Sequence, residues 1–212
     1  MSTLSLSLRT SHPSTSSLSK RLIDIIGSLI GLLILALIFF PIAIAIKLDS
    51  HGPIFYSQKR YGLYGKTFRI YKFRTMVQNA DALKASIKNE AKGLIFKNEN
   101  DPRITRVGRF LRRTSLDEFP QFWNVFTGEM SLVGTRPPTR DEVVHYTAHH
   151  WQRLNVKPGI TGEWQVNGRS NIKDFEAIVA LDLRYQKLWN PWYDLVIIFQ
   201  TVFLMLRQTG AY

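Results

Sequence analysis

The side chains best suited to chemistry are the adjacent carboxylates Asp117 and Glu118. They lie in the run Arg112-Arg-Thr-Ser-Leu-Asp-Glu-Phe-Pro-Gln-Phe-Trp-Asn124, behind two arginines. Pro120 has no N–H to give a helix, so it is tolerated only near a helix start. The acidic pair therefore falls in a first turn, where open N–H groups and the helix dipole favour anions. Neighbouring helical residues point about 100° apart at 3.6 residues per turn, so the pair is not a symmetric clamp. A division of labour follows: one carboxylate at a reacting phosphorus, the other holding a proton or a metal-bound water. A carboxylate can attack phosphorus and form an acyl phosphate. It can do so once Mg²⁺ and arginines offset the repulsion of the phosphate. A plainer reading competes. Ser115 and Glu118 are spaced as a capping box, and from this segment alone a cap with surface charges is the preferred account.

Two further clusters carry candidate contacts. In Gly128-Glu-Met-Ser-Leu-Val-Gly-Thr-Arg-Pro-Pro138, the two prolines stiffen the chain after Arg136 and fix its guanidinium, which suits phosphate recognition. In Lys157-Pro-Gly-Ile-Thr-Gly-Glu-Trp-Gln-Val-Asn-Gly-Arg169, glycines permit tight turns or close ligand approach, as ordinary surface loops also do. Other constellations fail. Gly65-Lys66-Thr67 resembles the end of a phosphate loop, but Arg60 stands where the first glycine belongs. There is no G-x-S-x-G and no H-E-x-x-H. His145 and His149, four apart with Glu142 and His150 nearby, could bind a metal, though a solvated helix face is the simpler reading. The absence of cysteine excludes disulfides, thiolate metal sites and a cysteine nucleophile.

The elements that must position these groups begin with a Ser/Thr/Leu-rich stretch over residues 1–19, read as a mobile tail. Residues 25–46 then carry no charge. That is about 22 residues, roughly 33 Å of helix, beyond the ~18 that mark a membrane segment. Both flanks are basic, with Lys20 and Arg21 before and Lys47, Lys59 and Arg60 after. Basic flanks stay cytoplasmic, so a simple crossing violates the rule on one side. A helix that enters and returns to the same face resolves the conflict, and Pro41 supplies the break. A kinked spanning helix is the alternative.

Beyond the membrane segment, residues 54–58 and 68–73 read as strands joined through Gly62 and Gly65. Residues 77–92 read as an exposed helix, 98–102 as a polar loop and 104–113 as a basic helix. A helix from Ser115 to Gly128 would place Leu116, Phe119, Trp123 and Phe126 on one face. Residues 173–189 form an amphipathic helix, and 194–206 an apolar helix too short to span, interfacial or buried. The formal net charge of +12 calls for an anionic partner: nucleic acid, an acidic membrane or a phosphate-bearing substrate. An apolar fraction of 45% excludes a disordered basic tail. Much of the basic charge flanks the membrane segment or the acidic pair instead of lining one groove, so no nucleic-acid partner is expected.

Taken in order, these segments resemble the bacterial sugar transferase family, the polyprenyl-phosphate hexose-1-phosphate transferases or monotopic phosphoglycosyl transferases. The resemblance runs from about Lys20 to Tyr212. It rests on Lys20-Arg-Leu-Ile-Asp24, Gly52-Pro-Ile-Phe, Gln58-Lys-Arg, Tyr71-Lys-Phe-Arg-Thr-Met76, Ser115-Leu-Asp-Glu, Pro120-Gln, Trp123-Asn-Val, Gly128-Glu-Met-Ser-Leu-Val-Gly, Arg136-Pro, Pro158-Gly-Ile-Thr-Gly and the closing Gly-Ala-Tyr. It implies an enzyme of the bacterial inner membrane, active on the cytoplasmic face. The substrates would be a UDP-sugar and undecaprenyl phosphate, with self-association left open. Asp117 would be the nucleophile that takes up a sugar phosphate as UMP leaves, and Glu118 its catalytic partner. Mg²⁺ is expected beside Asp117. Arg112, Arg136 and Asp194 match active-site positions, and Lys72 and Arg74 fall in the Lys-Phe-Arg-Thr-Met motif. The family breaks its re-entrant helix at a Ser-Pro pair about thirteen residues after the aspartate matching Asp24. Here Leu37 stands there, and Phe40-Pro41 follows one turn later. The implied fold is α+β: a tail over 1–19, a re-entrant membrane helix over 20–47, and a cytoplasmic catalytic domain over 48–212 resting on the membrane through amphipathic helices. The chain reads as the minimal catalytic form, without additional spanning helices.

Overall fold

The computed structural model describes residues 11–168 and 171–207. It mixes helix and strand around one long apolar helix, α1 (Leu18–Asp49). The Ser17 hydroxyl accepts from the Lys20 N–H at 3.2 Å and starts the helix. At its far end the Arg74 guanidinium donates to the carbonyls of His51 and, at 2.8 Å, Ser50, groups left open as the helix terminates. The expected interruption at Pro41 is not present: the helix runs unbroken through it. A proline removes one N–H, and the surrounding backbone bonds carry the helix onward.

Both halves of α1 touch the same body. Before Pro41, the Asp24 carboxylate accepts from the Ser131 hydroxyl and the Leu132 N–H, each at 2.8 Å. A Cβ on Gly27 would lie 2.4 Å from Leu132, and one on Gly31 2.4 Å from the Phe122 ring, so these two glycines allow the close approach. After Pro41, Ile42 and Ile46 pack with Phe73 and Leu111. The outer face is bare: Leu33, Leu37 and Phe40 are 65, 74 and 70% exposed. A core helix of a soluble protein would bury these side chains; among the described residues nothing covers them.

Strands β1 (Phe55–Tyr61) and β2 (Thr67–Phe73) form an antiparallel hairpin with Tyr56 opposite Lys72 and Arg60 opposite Phe68. Helix α2 (Arg106–Thr114) is capped by Thr105, and α3 (Gln121–Thr127) ends at Gly128 in the left-handed region. Arg21 of α1 donates to the Val125 and Phe126 carbonyls at the end of α3. Two three-residue strands, β3 (Ser131–Val133) and β4 (Gly159–Thr161), pair in parallel. Around them lie the short helices α4 (Arg140–Val143), α5 (Ala148–Trp151) and α6 (Glu163–Val166), then α7 (Phe175–Leu188) and α8 (Pro191–Arg207). The largest core cluster joins Ile70, Val125, Met130, Val133, Tyr185 and Ile197, one or more from each of β2, α3, β3, α7 and α8.

Three expectations are corrected. Residues 77–92 contain turns and a 3-10 segment, Ala82–Ser86, instead of an α-helix. Val77 and Leu83 stay exposed, so no apolar face finds a partner, and so short an isolated helix is marginal in water. The helix expected from Ser115 to Gly128 is divided at Pro120, which has no N–H to continue it. Residues 1–10 lie outside the described part, as do the closing residues 208–212. Residues 11–17, placed in the tail by sequence, are packed: the His12 Nε2 lies 2.9 Å from the Gln186 carbonyl and the ring meets Trp189 edge-on.

Candidate active site

The pleat of the hairpin sends alternate residues to opposite faces. Tyr56, Gln58 and Arg60 of β1, with Ile70 and Lys72 of β2, floor an open cleft of about 710 Å³. The other face stacks Phe55 on Phe73, with centroids 5.4 Å apart, and both stack on Phe39 of α1. The hairpin thus links the cleft to the apolar helix.

Asp117 and Glu118 enter the cleft from a 3-10 turn, Leu116–Glu118. Ser115 adopts φ 59° as the C-cap of α2, and this left-handed residue turns the chain. It makes no side-chain cap bond to the turn, so the expected capping box is not formed. The Lys72 ammonium instead donates to the Glu118 carboxylate at 2.8 Å. Glu118 thus has an ion-pair partner on β2, while Asp117 sits 7% exposed beside it.

Arg112 and Arg136 also line the cleft. The Arg112 Nε donates to the Thr75 hydroxyl at 3.0 Å. Burial draws its pKa down, and Asp117 is the charge that opposes this most. Arg136 donates from Nη1 to both Glu142 carboxylate oxygens, at 3.0 and 2.8 Å. Burial works against its charge, but Glu142 outweighs it and leaves the pKa raised. Pro137 and Pro138, which follow, accept from the Arg60 Nη1 and the Tyr61 N–H, at 3.0 and 3.1 Å. The rigid segment is thereby tied to the edge of β1.

Two expected contacts have other work. Arg74 borders the cleft, yet its guanidinium caps α1. Asp194 is not among the cleft residues. It is 1% exposed, accepts from Lys20 at 2.7 Å, from the Tyr185 hydroxyl at 2.8 Å and from the Trp189 ring N–H at 3.1 Å, and joins α1 to α8. His145 and His149 are exposed, Glu142 is held by Arg136, and His150 lies 2.9 Å from Glu176. No group of three metal-binding side chains occurs among the described residues. A site built from Asp117 and Glu118 fits Mg²⁺ only as that ion is usually held, by one or two carboxylates with substrate phosphates completing the shell.

Sequence reasoning gave no role to Arg60, Tyr56 or Glu142. The signal for the first two was alternation along β1, which puts Tyr56 and Arg60 on one face with Gln58. Glu142 was seen only as a neighbour of histidines. The cleft combines a near-buried carboxylate, a second held by lysine, and several guanidiniums. That set can receive a polyanion and offer it a nucleophile.

A family model described as bacterial sugar transferase matches residues 15–208. The galactosyl transferase CpsE of Streptococcus agalactiae is 49% identical over 196 residues, covering 92% of this chain and 43% of that protein. The undecaprenyl-phosphate galactose phosphotransferase of Salmonella typhimurium is 43% identical over 199 residues, covering 91% and 41%. The exopolysaccharide production protein ExoY of Sinorhizobium fredii is 38% identical over 201 residues, covering 92% and 88%. The chain thus spans about two fifths of the length of the first two relatives and most of the third.

Proposed function

The chain belongs to the bacterial sugar transferase family, and from that premise we propose that it moves a hexose-1-phosphate from a UDP-sugar to undecaprenyl phosphate at the cytoplasmic face of the inner membrane. This is the first membrane step in building an exopolysaccharide, O-antigen or related glycoconjugate. The observation that carries the reading is Asp117, 7% exposed, in the same cleft as Arg112, Arg136 and the Lys72–Glu118 pair.

A carboxylate oxygen of Asp117 attacks the sugar-bearing phosphorus. The bond from that phosphorus to the oxygen bridging the two phosphates breaks, and UMP leaves with the electron pair. The sugar phosphate stays on Asp117 as an acyl phosphate. An oxygen of the lipid phosphate then attacks the same phosphorus, the acyl bond breaks and the carboxylate is restored. Lys72, Arg112 and Arg136 offset charge on the phosphates, and a cleft that fixes their positions lowers the cost of assembling two anions. Glu118 holds the Lys72 ammonium in place. Asp117 and Glu118 are the residues that would hold Mg²⁺ with donor oxygens; the ion, when bound, supplies further charge neutralisation.

With both ends of α1 held to the same body, its bare apolar face sinks into the bilayer from the cytoplasmic side, so the cleft stays near the height of the lipid phosphates. The exposed Trp192, Phe199 and Leu206 of α8 lie against the same surface. Asp117→Asn tests the chemistry: UMP release with donor alone should vanish, while extraction from membranes is unchanged. Wild-type protein trapped with donor and no acceptor should carry a hexose phosphate on the peptide containing Asp117. Full turnover by the variant would remove Asp117 from the role.

A further inference from the structure

Most cations around the cleft have a partner that accounts for them. Lys72 holds Glu118, Lys84 holds Asp141, Arg103 holds Asp101 and Arg136 holds Glu142. Arg74 caps α1, and Arg112 stands by Asp117. Arg60 is different. Its side chain makes one hydrogen bond to the described residues, from Nη1 to the Pro137 carbonyl at 3.0 Å. Its Nε is buried with no hydrogen-bond partner. No carboxylate among the described residues forms an ion pair with it. Burial lowers its pKa to about 10; the neighbouring Arg136 adds to the effect, and Glu142, which Arg136 holds, opposes it only in part. A desolvated guanidinium with an orphan donor, set next to a second guanidinium, is costly to maintain without an anion. An oxyanion of phosphate would satisfy the donor and offset the Arg60 charge, and the planar fork of arginine matches phosphate geometry.

The hairpin indicates which phosphate. At one end Phe55 and Phe73 stack on Phe39 of the apolar helix, and Tyr56 stands opposite Lys72, the partner of Glu118. Arg60 lies at the other end, four residues and about 13 Å of strand farther from that helix. A lipid-linked phosphate arrives from the side of α1. A soluble nucleotide enters from the open side.

We infer that Arg60, fixed beside Arg136 by the Pro137 carbonyl, forms a phosphate subsite that holds the phosphate departing with the nucleotide. The inference rests on the proposed transfer reaction for the identity of the ligand, but binding tests it without turnover. UMP and uridine are titrated separately into detergent-solubilised full-length protein by calorimetry. Wild type should bind UMP more tightly than uridine. Arg60→Gln should weaken UMP binding about ten- to hundredfold and leave uridine binding unchanged. Arg60→Lys, which keeps charge but not the fork, should fall between the two, and it carries the test if the glutamine variant misfolds. Unchanged UMP binding in both variants would overturn the subsite. Unchanged UMP binding with a raised KM for polyprenyl phosphate would assign the site to the acceptor and overturn the proposal as stated. Failure of the covalent mechanism would appear in the Asp117→Asn experiment and leave the UMP titration unaffected.

Discussion

At the scale of single residues, cleft-lining side chains that meet substrate must be separated from those that only border it. Lys72 and Glu118 form a partly exposed pair, with side chains 27 and 31% accessible. Pairs so placed contribute about 1 kcal/mol or less to stability, yet a positioned cation at a reacting phosphate is worth far more to the rate. Lys72→Gln should therefore lower kcat for UMP release about a hundredfold and leave the melting temperature within a few degrees of wild type. A loss of rate that merely followed a large loss of stability would place Lys72 among the structural residues. Residue type and spacing singled out the acidic pair and its arginines as candidates because these are local information, but alone they favoured a helix cap; the resemblance to a family of transferases gave the pair its expected role. It did not distinguish Arg74 or Asp194 from them. Both are buried polar groups, Arg74 within a motif that also supplies Lys72, and Asp194 at a matched position, and each has a partner far along the chain: Ser50 for Arg74 and Lys20 for Asp194.

Among elements, the same distinction explains what pattern could and could not show. The hairpin strands and the amphipathic α7 were readable from local pattern, and α2 and α8 from local composition, basic in one and almost wholly apolar in the other. β3 and β4 have only three residues each, too few for a period, and they pair only because the chain returns after some 25 residues. The division at Pro120 was hidden by the apolar spacing of Leu116, Phe119, Trp123 and Phe126, which persists across it. Asp194 shows what such long-range joins carry. Its carboxylate gathers Lys20, Tyr185 and Trp189 in a site almost without solvent and so fixes the start of α1 to α8. Asp194→Asn removes the carboxylate paired with the buried Lys20, leaving only the more distant Asp24 to face it, a change that costs about 3–5 kcal/mol. Chemical denaturation in detergent should show that loss. At low temperature the folded fraction should retain the wild-type KM for donor. A selective rise in that KM, with stability intact, would return Asp194 to the substrate.

For the whole molecule, the decisive geometry is that α1 meets one body at both ends. Lys20 and Asp24 bond to β3, α8 and the Leu132 backbone near its start, while Ile46 packs with Phe73 and Leu111, and Arg74 caps its end. Were α1 to cross between Ser19 and His51, the polar groups packed along it, from the Lys20–Asp194 pair at its start to the Arg74 cap at its end, would be drawn toward hydrocarbon. The charge pattern agrees, since basic residues flank both ends and favour the cytoplasm. The chain contains no cysteine, so Ser19→Cys and His51→Cys, both at exposed positions, can each be labelled without background. A maleimide that does not cross membranes should label neither variant in intact spheroplasts and both in inverted vesicles. Labelling of one from each side would mean that α1 crosses. The polar contacts along it would then be drawn toward hydrocarbon, and the mechanism that keeps the cleft beside the lipid phosphates would be lost.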